Sequence, residues 1–126
     1  MRMRILVVDD DDQLREMLRK MLEKAGYEVI EAADGKEALN LQEKSPSDLM
    51  ITDIIMPEKE GIDTIMDFRM NYPQVRIIAM SGGGRIGPTE YLDMAEKLGA
   101  DKTFAKPFSS KAMLATIREL LHQNHP

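Results

Sequence analysis

The chain contains no cysteine and no tryptophan. Without cysteine, neither a disulfide framework nor a thiolate metal site can hold the fold, and a reducing compartment is compatible with that. Only two histidines occur, His122 and His125, both near the end of the sequence. A Ser/His/Asp triad or a histidine-based zinc site therefore has no material to form from. No apolar run approaches the ~20 residues of a membrane span, and the opening MRMRILVV lacks the apolar segment of a signal peptide. A cytoplasmic protein with no membrane insertion is expected. Lysines and arginines are dispersed, at a formal net charge of −5, which argues against direct nucleic-acid binding. The Gly-rich string SGGGRIG (81–87) lacks the GxxxxGK[ST] pattern and its lysine, so a nucleotide site has no support.

What is present is an alternation of two periods. At 126 residues the chain suits one domain, 1–126, with a core over 4–121. Short apolar runs at ILVV (5–8), YEVIEA (27–32), DLMITD (48–53), VRIIAM (75–80) and KTFA (102–105) read as strands. Between them lie helical ladders. Leu14, Met17, Leu18, Met21, Leu22 and Ala25 form the first, with Asp11 or Asp12 as its cap and Gly26 at its end. Asp34 to Glu37 has capping-box spacing and opens a second, which ends before Pro46. A third carries Ile62, Ile65, Met66 and Met70, and a fourth Tyr91, Leu92, Ala95 and Leu98. The fifth carries Met113, Leu114, Ile117, Leu120 and Leu121, behind Ser109 or Ser110. Strands alternating with helices predict an α/β fold: a parallel sheet with helices on both faces. The eleven methionines read as adaptable core filler, with a methionine-rich docking surface as the other reading.

Four of the strands run directly into a polar group: Asp9 and Asp10, Asp53, Ser81 and Lys106. In an open parallel sheet the ligand crevice lies outside the carboxyl ends of the strands. Three carboxylates, a hydroxyl and an ammonium meeting there suit Mg²⁺-assisted phosphoryl transfer to a carboxylate. Each residue also has a plainer reading. Asp11 and Asp12 suit helix capping. Asp9 and Asp10 end a buried strand, and a close pair of like charges calls for a counter-charge such as a hard divalent cation. Asp53 is either a turn residue or a carboxylate nucleophile, and the next helix begins too far on for it to be the cap. Ser81 is a loop residue or a donor to a phosphoryl oxygen, with the Gly82 N–H beside it. Lys106, before Pro107, is an exposed lysine or a compact charge placed to neutralise anions.

ILVVDDDDQLREML, DLMITDIIMPEKEG, IIAMSG and FAKPF, in this order and spacing, resemble the receiver domain of bacterial response regulators, chiefly the single-domain chemotaxis type. The resemblance covers residues 4–121. It implies a flavodoxin-like doubly wound five-stranded sheet of order 2-1-3-4-5. It also implies Asp53 as phosphoacceptor, and Asp9, Asp10, Asp53 and the backbone carbonyl of Ile55 as Mg²⁺ ligands. Ser81 and Lys106 become phosphoryl-binding groups, the Gly82 N–H a backbone contact, and Ser81 with Phe104 the switch pair. The phosphoryl donor becomes a sensor histidine kinase or phosphotransfer protein, and the output face the fourth helix, fifth strand and fifth helix, acting on a separate protein target.

The chain departs from the pattern in two places. Ser81 and Lys106 lie 25 positions apart, a few more than in the chemotaxis type. The extra length falls in the Gly-rich loop 82–88, where Arg85 covers the site or is simply solvated. Phe104 lacks the hydroxyl of a tyrosine. The implied protein is a signalling switch, not an enzyme, as a monomer or a phosphorylation-dependent homodimer. The sequence reads as stand-alone, without an output domain; a receiver excised from a hybrid histidine kinase is the other arrangement. A Mg²⁺-dependent phosphohydrolase of the haloacid dehalogenase type would need a second aspartate two residues after Asp53, where Ile55 stands. A phosphorylation-independent pseudo-receiver would not need the full set Asp9, Asp10, Asp53, Ser81 and Lys106.

Overall fold

The computed structural model describes residues 2–54, 61–82 and 88–122, for 88–91 the backbone only. Five strands and five helices alternate: β1 (Arg4–Val8), α1 (Asp12–Lys24), β2 (Glu28–Ala32), α2 (Gly35–Lys44), β3 (Leu49–Asp53), α3 (Gly61–Asn71), β4 (Arg76–Ser81), α4 (Pro88–Leu98), β5 (Lys102–Ala105) and α5 (Ser110–His122). The strands form one parallel sheet in the order β2-β1-β3-β4-β5. This is the flavodoxin-like order, with the chain reversing direction across the sheet between β1 and β3.

Strand alternation divides the core in two. Leu6, Val8, Met50, Ile77 and Ala79 face one side, where Ala38 of α2, Ile65 and Phe68 of α3 and Ala95 of α4 cover them. Ile5, Val7, Leu49, Ile51, Ile78 and Met80 face the other, under Leu18 and Leu22 of α1 and Met113 and Ile117 of α5. Each Val, Leu, Ile, Met or Phe among them contributes roughly 1.5–3 kcal/mol on burial, and each Ala less. β3, at the sheet's centre, is buried along its whole length, which is why its sequence is nearly continuous in apolar residues. β2 is an edge strand, only partly buried over 28–31, and its glutamates weaken the apolar signal accordingly.

The helix ends follow their local chemistry. Asp11 caps α1, its carboxylate accepting from the N–H groups of Gln13 and Leu14 at 2.9 and 3.2 Å. Gly26 follows the helix at φ 100°, a backbone that side chains resist. Asp34 accepts from the Glu37 N–H at 2.9 Å, and the Glu37 carboxylate accepts from the Ala33 N–H at 2.7 Å. The capping box thus closes one residue upstream of its usual position. Ser109, not Ser110, caps α5 through the Ala112 N–H.

Two apolar assignments need correction. The buried stripe of α3 is Gly61, Thr64, Ile65 and Phe68, so Met66 and Met70 point outward, at 43% and 77% exposure. Phe68 fills the space beneath the helix and sets its rotation. Methionine as core filler holds for Met50, Met80 and Met113 but fails for Met17, Met66, Met70 and Met94, which are exposed. At the far end of α3, Arg69 donates to the carbonyls of Gly99, Pro73 and Val75 and pairs with Asp101. One guanidinium thereby ties α3 to the turns that lead into β4 and β5.

Gly61 lies directly against the end of β3. A Cβ built there would overlap the Asp53 carbonyl oxygen and the Ile54 Cα, both backbone atoms that cannot step aside. Gly61→Ala is expected to lower the free energy of unfolding by about 1–3 kcal/mol in urea titration. An unchanged midpoint would show that α3 does not abut β3 this closely.

Candidate functional site

The parallel register delivers the site residues to one edge of the sheet. Val8 pairs with Thr52, so Asp9 and Asp53 emerge side by side at the ends of β1 and β3. Asp53 pairs with Met80 and Ser81 with Ala105, which places Lys106 one step beyond Ser81. A backbone hydrogen bond from the Lys106 N–H to the Ser81 carbonyl, 2.9 Å, fixes that step. The Lys106–Pro107 peptide is cis.

Asp9 is fully buried and Asp53 nearly so. The Lys106 ammonium donates to Asp9 Oδ2 at 3.0 Å and to Asp53 Oδ2 at 3.3 Å. Burial is the largest influence on Asp9 and pushes its carboxyl above the usual 3.8, with the Asp53 charge adding to the rise. The Asp11 N–H and Lys106 pull the other way without cancelling it. For Lys106, burial disfavours the ammonium, but the charges of Asp53 and Asp9 together outweigh it and hold the group above its usual 10.5.

Asp9, Asp10 and Asp53 each offer a carboxylate oxygen, and these lie within 4.8 Å of one another. Three hard oxygen donors around one point fit Mg²⁺. Asp10 is exposed, at the solvent side of this group. Ser81 is fully buried, and its hydroxyl has no hydrogen-bond partner among the described residues. An orphaned buried hydroxyl costs about 1–3 kcal/mol, a cost that a ligand oxygen would remove. Gly82 is what allows Lys106 to lie over the strand ends, since a Cβ at residue 82 would stand 2.5 Å from Lys106 Cβ.

Among the described residues the structure therefore brings Asp9, Asp10, Asp53, Ser81, Gly82 and Lys106 into one crevice. Phe104 lies apart from them, half-buried against the core beneath α1 and α5. Its ring meets Phe108 edge-on at 6.1 Å and 72°. Ile55, Arg85, loop residues 83–87 and His125 lie outside the described residues. His122 closes the last turn of α5 and is exposed. Arg15 was not singled out by its sequence position, yet it donates to the Asp9 carbonyl at 2.6 Å. The hydrophobic ladder of α1 gives no sign of it; the Asp12–Arg15 spacing of three is the one available hint.

Residues 5–118 match the family model described as the response regulator receiver domain. The chain belongs to that family. This receiver is 38% identical over 122 residues to the transcriptional regulatory protein CpxR of Escherichia coli (strain K12), covering 97% of this chain and 50% of that protein. It is 32% identical over 126 residues to the alkaline phosphatase synthesis transcriptional regulatory protein PhoP of Bacillus subtilis (strain 168), covering 98% and 50%. It thus spans about half the length of the curated relatives it matches. Among solved structures it resembles a CheY-like receiver domain protein of Methanospirillum hungatei JF-1, with TM-score 0.89 and 30% identity over 98% of this chain and 96% of that one. It also resembles the chemotaxis protein CheY4 of Vibrio cholerae, with TM-score 0.84 and 31% identity over 95% and 99%. Receiver domains are regulatory modules of two-component systems, phosphorylated on aspartate, and the family binds Mg²⁺ at an acidic pocket. In this receiver the acidic group is Asp9, Asp10 and Asp53.

Because the native state holds the Asp9 proton more tightly than the unfolded chain does, that contribution to stability is complete below pH 3.8. It is lost as pH rises through the higher native value. Above that native value the Asp9 carboxylate is a net burden in the metal-free protein. Asp9→Asn is expected to raise the Tm of the receiver at pH 7 without divalent cations. The gain should shrink as pH falls toward 3.8. A Tm loss at pH 7 would mean that the bond to Lys106 outweighs the burial of the charge.

Proposed function

We propose that this receiver accepts a phosphoryl group on Asp53 and relays the event by protein contact. The observation that carries the proposal is the pairing of one ammonium with two buried strand-end carboxylates, beside a buried hydroxyl that lacks a partner among the described residues. A purely structural aspartate would not need such surroundings.

The donor is a phosphohistidine of a sensor histidine kinase or phosphotransfer protein. An Asp53 carboxylate oxygen attacks phosphorus in line, the O–P bond forms, and the P–N bond to histidine breaks with its electron pair leaving on nitrogen. There is little covalent work for the protein beyond positioning and charge stabilisation. Asp9, Asp10 and Asp53 would hold Mg²⁺, with the Ile55 carbonyl as the ligand the family resemblance implies, and the ion would supply positive charge beside the transferring group. The Lys106 ammonium shifts from carboxylate partner to phosphoryl partner, while the Ser81 hydroxyl and Gly82 N–H donate to its oxygens. Ser81 then draws toward the new oxygen, and Phe104 repacks on the face formed by α4, β5 and α5, which presents the change to a target. Aspartyl-phosphate hydrolysis resets the switch. The role is regulatory and cytoplasmic, where such donors work, and dimerisation on that face is one form the output takes.

The domain is expected to gain one phosphoryl group in intact mass on incubation with acetyl phosphate. The gain should require both Mg²⁺ and Asp53, with Asp53→Asn as the control. Ser81→Ala is expected to hold or raise the metal-free Tm, by up to several degrees, since it removes a buried hydroxyl without a partner among the described residues. That variant should still take the phosphoryl group but lose the accompanying amide resonance shifts near Phe104. No mass gain, together with no binding of beryllofluoride, would leave a pseudo-receiver.

A further inference from the structure

Asp9 stands at the centre of the acidic crevice, and every one of its polar atoms is engaged. Its N–H donates to the Ala32 carbonyl at 3.1 Å. Its carboxylate accepts from the Asp11 N–H at 2.9 Å and from Lys106 at 3.0 Å. Its carbonyl oxygen accepts from Arg15 Nη1 at 2.6 Å. The last bond has a reach beyond Asp9. That carbonyl and the Asp10 N–H belong to one rigid peptide plane, the plane joining the two adjacent carboxylates. Holding its oxygen fixes the direction in which Asp10 leaves the backbone.

The Arg15 side chain is itself immobilised. It is only 15% exposed, and it pairs with Asp12 one turn earlier and with Glu31 at the end of β2. Arg19 engages the other Glu31 oxygen at 3.2 Å. A planar guanidinium presents several donors at fixed angles and meets three acceptors together, which an ammonium on a flexible stem does not. By contrast no ion pair is recorded for Asp10 among the described residues, so its carboxylate depends on the backbone for its position.

We propose that Arg15 is a positioning residue for the divalent-cation site, holding the Asp9–Asp10 peptide plane so that the two carboxylates converge. The inference rests on the Mg²⁺ role proposed above and extends it to a residue outside the ligand set. It has a distinctive sign. Arg15 is a positive charge near a cation site, so simple Coulomb repulsion makes its removal tighten Mg²⁺ binding. Loss of positioning makes its removal weaken binding, as loss of a group orienting metal ligands generally does.

The test is calorimetric titration of Mg²⁺ into the intact chain, wild type beside Arg15→Met and Arg15→Lys, at one ionic strength. Amide spectra and thermal melts of the metal-free proteins accompany it. Arg15→Met is expected to weaken Mg²⁺ binding about tenfold, and Arg15→Lys, which keeps the charge, by a few-fold. Both should displace the Asp10 amide resonance before metal is added. Unchanged or tighter Mg²⁺ binding by Arg15→Met overturns the proposal, even if its Tm falls. Should Arg15→Met fail to fold, Arg15→Lys decides, and an affinity equal to wild type overturns it. Wild type that binds no Mg²⁺ removes the functional proposal along with this one. Wild type that binds, with Arg15 variants binding equally well, removes this one alone.

Discussion

The ammonium of Lys106 between the carboxylates of Asp9 and Asp53 is the interaction on which the arrangement depends. Two carboxylates at the buried ends of neighbouring strands repel each other and lose hydration, and neither cost falls away by local rearrangement. A single cation from a third strand end offsets both at once. The geometry that allows this is the parallel register, which delivers β1, β3 and β5 to one rim. Gly82 matters for the same reason, because it leaves room for the lysine stem to cross. The compensation is incomplete, and burial still raises the Asp9 carboxyl above its ordinary value. A crevice of this kind favours further positive charge and is ill suited to being empty of it.

Much of this was legible in the residues themselves, for identifiable reasons. Strand ends are readable because a buried parallel strand is an apolar run and its first polar residue is conspicuous, as with Asp53 after LMIT and Ser81 after IIAM. Caps are readable because Asp11 and Asp34 act on backbone groups two or three residues away. The strand order followed from the family resemblance, since periodicity carries no information about which strands are neighbours. What escaped detection depends on tertiary packing. The rotation of α3 was misjudged because Met66 and Met70 are as apolar as Ile65 and Phe68, and only the shape of the space beneath the helix chooses between them. Arg15 and Arg69 look like ordinary surface cations in sequence. Their partners are backbone carbonyls, which exist at every residue and leave no mark in composition.

The two arginines also show how the helices are joined to the sheet by polar as well as apolar means. Arg69 collects carbonyls from the turns that lead into β4 and β5, and Asp101 returns the favour by accepting from the Ile77 N–H at 2.8 Å. These ends of chain segments would otherwise leave unpaired carbonyls at a partly buried edge. Arg15 does the same at the opposite rim, beside the proposed phosphoacceptor.

The span of the Lys106 contacts has a consequence for synthesis. The lysine lies 97 residues after Asp9 and 53 after Asp53. While the chain emerges from the ribosome, β1 and β3 can pair long before their counter-charge has been made, and a nascent sheet stopped there carries two adjacent carboxylates with no ammonium between them. Contacts of such separation form late and at high entropic cost. Docking of β5 thus completes the electrostatics of the crevice at the same moment as it completes the sheet. A chain truncated before residue 106 lacks the ammonium that sits between Asp9 and Asp53.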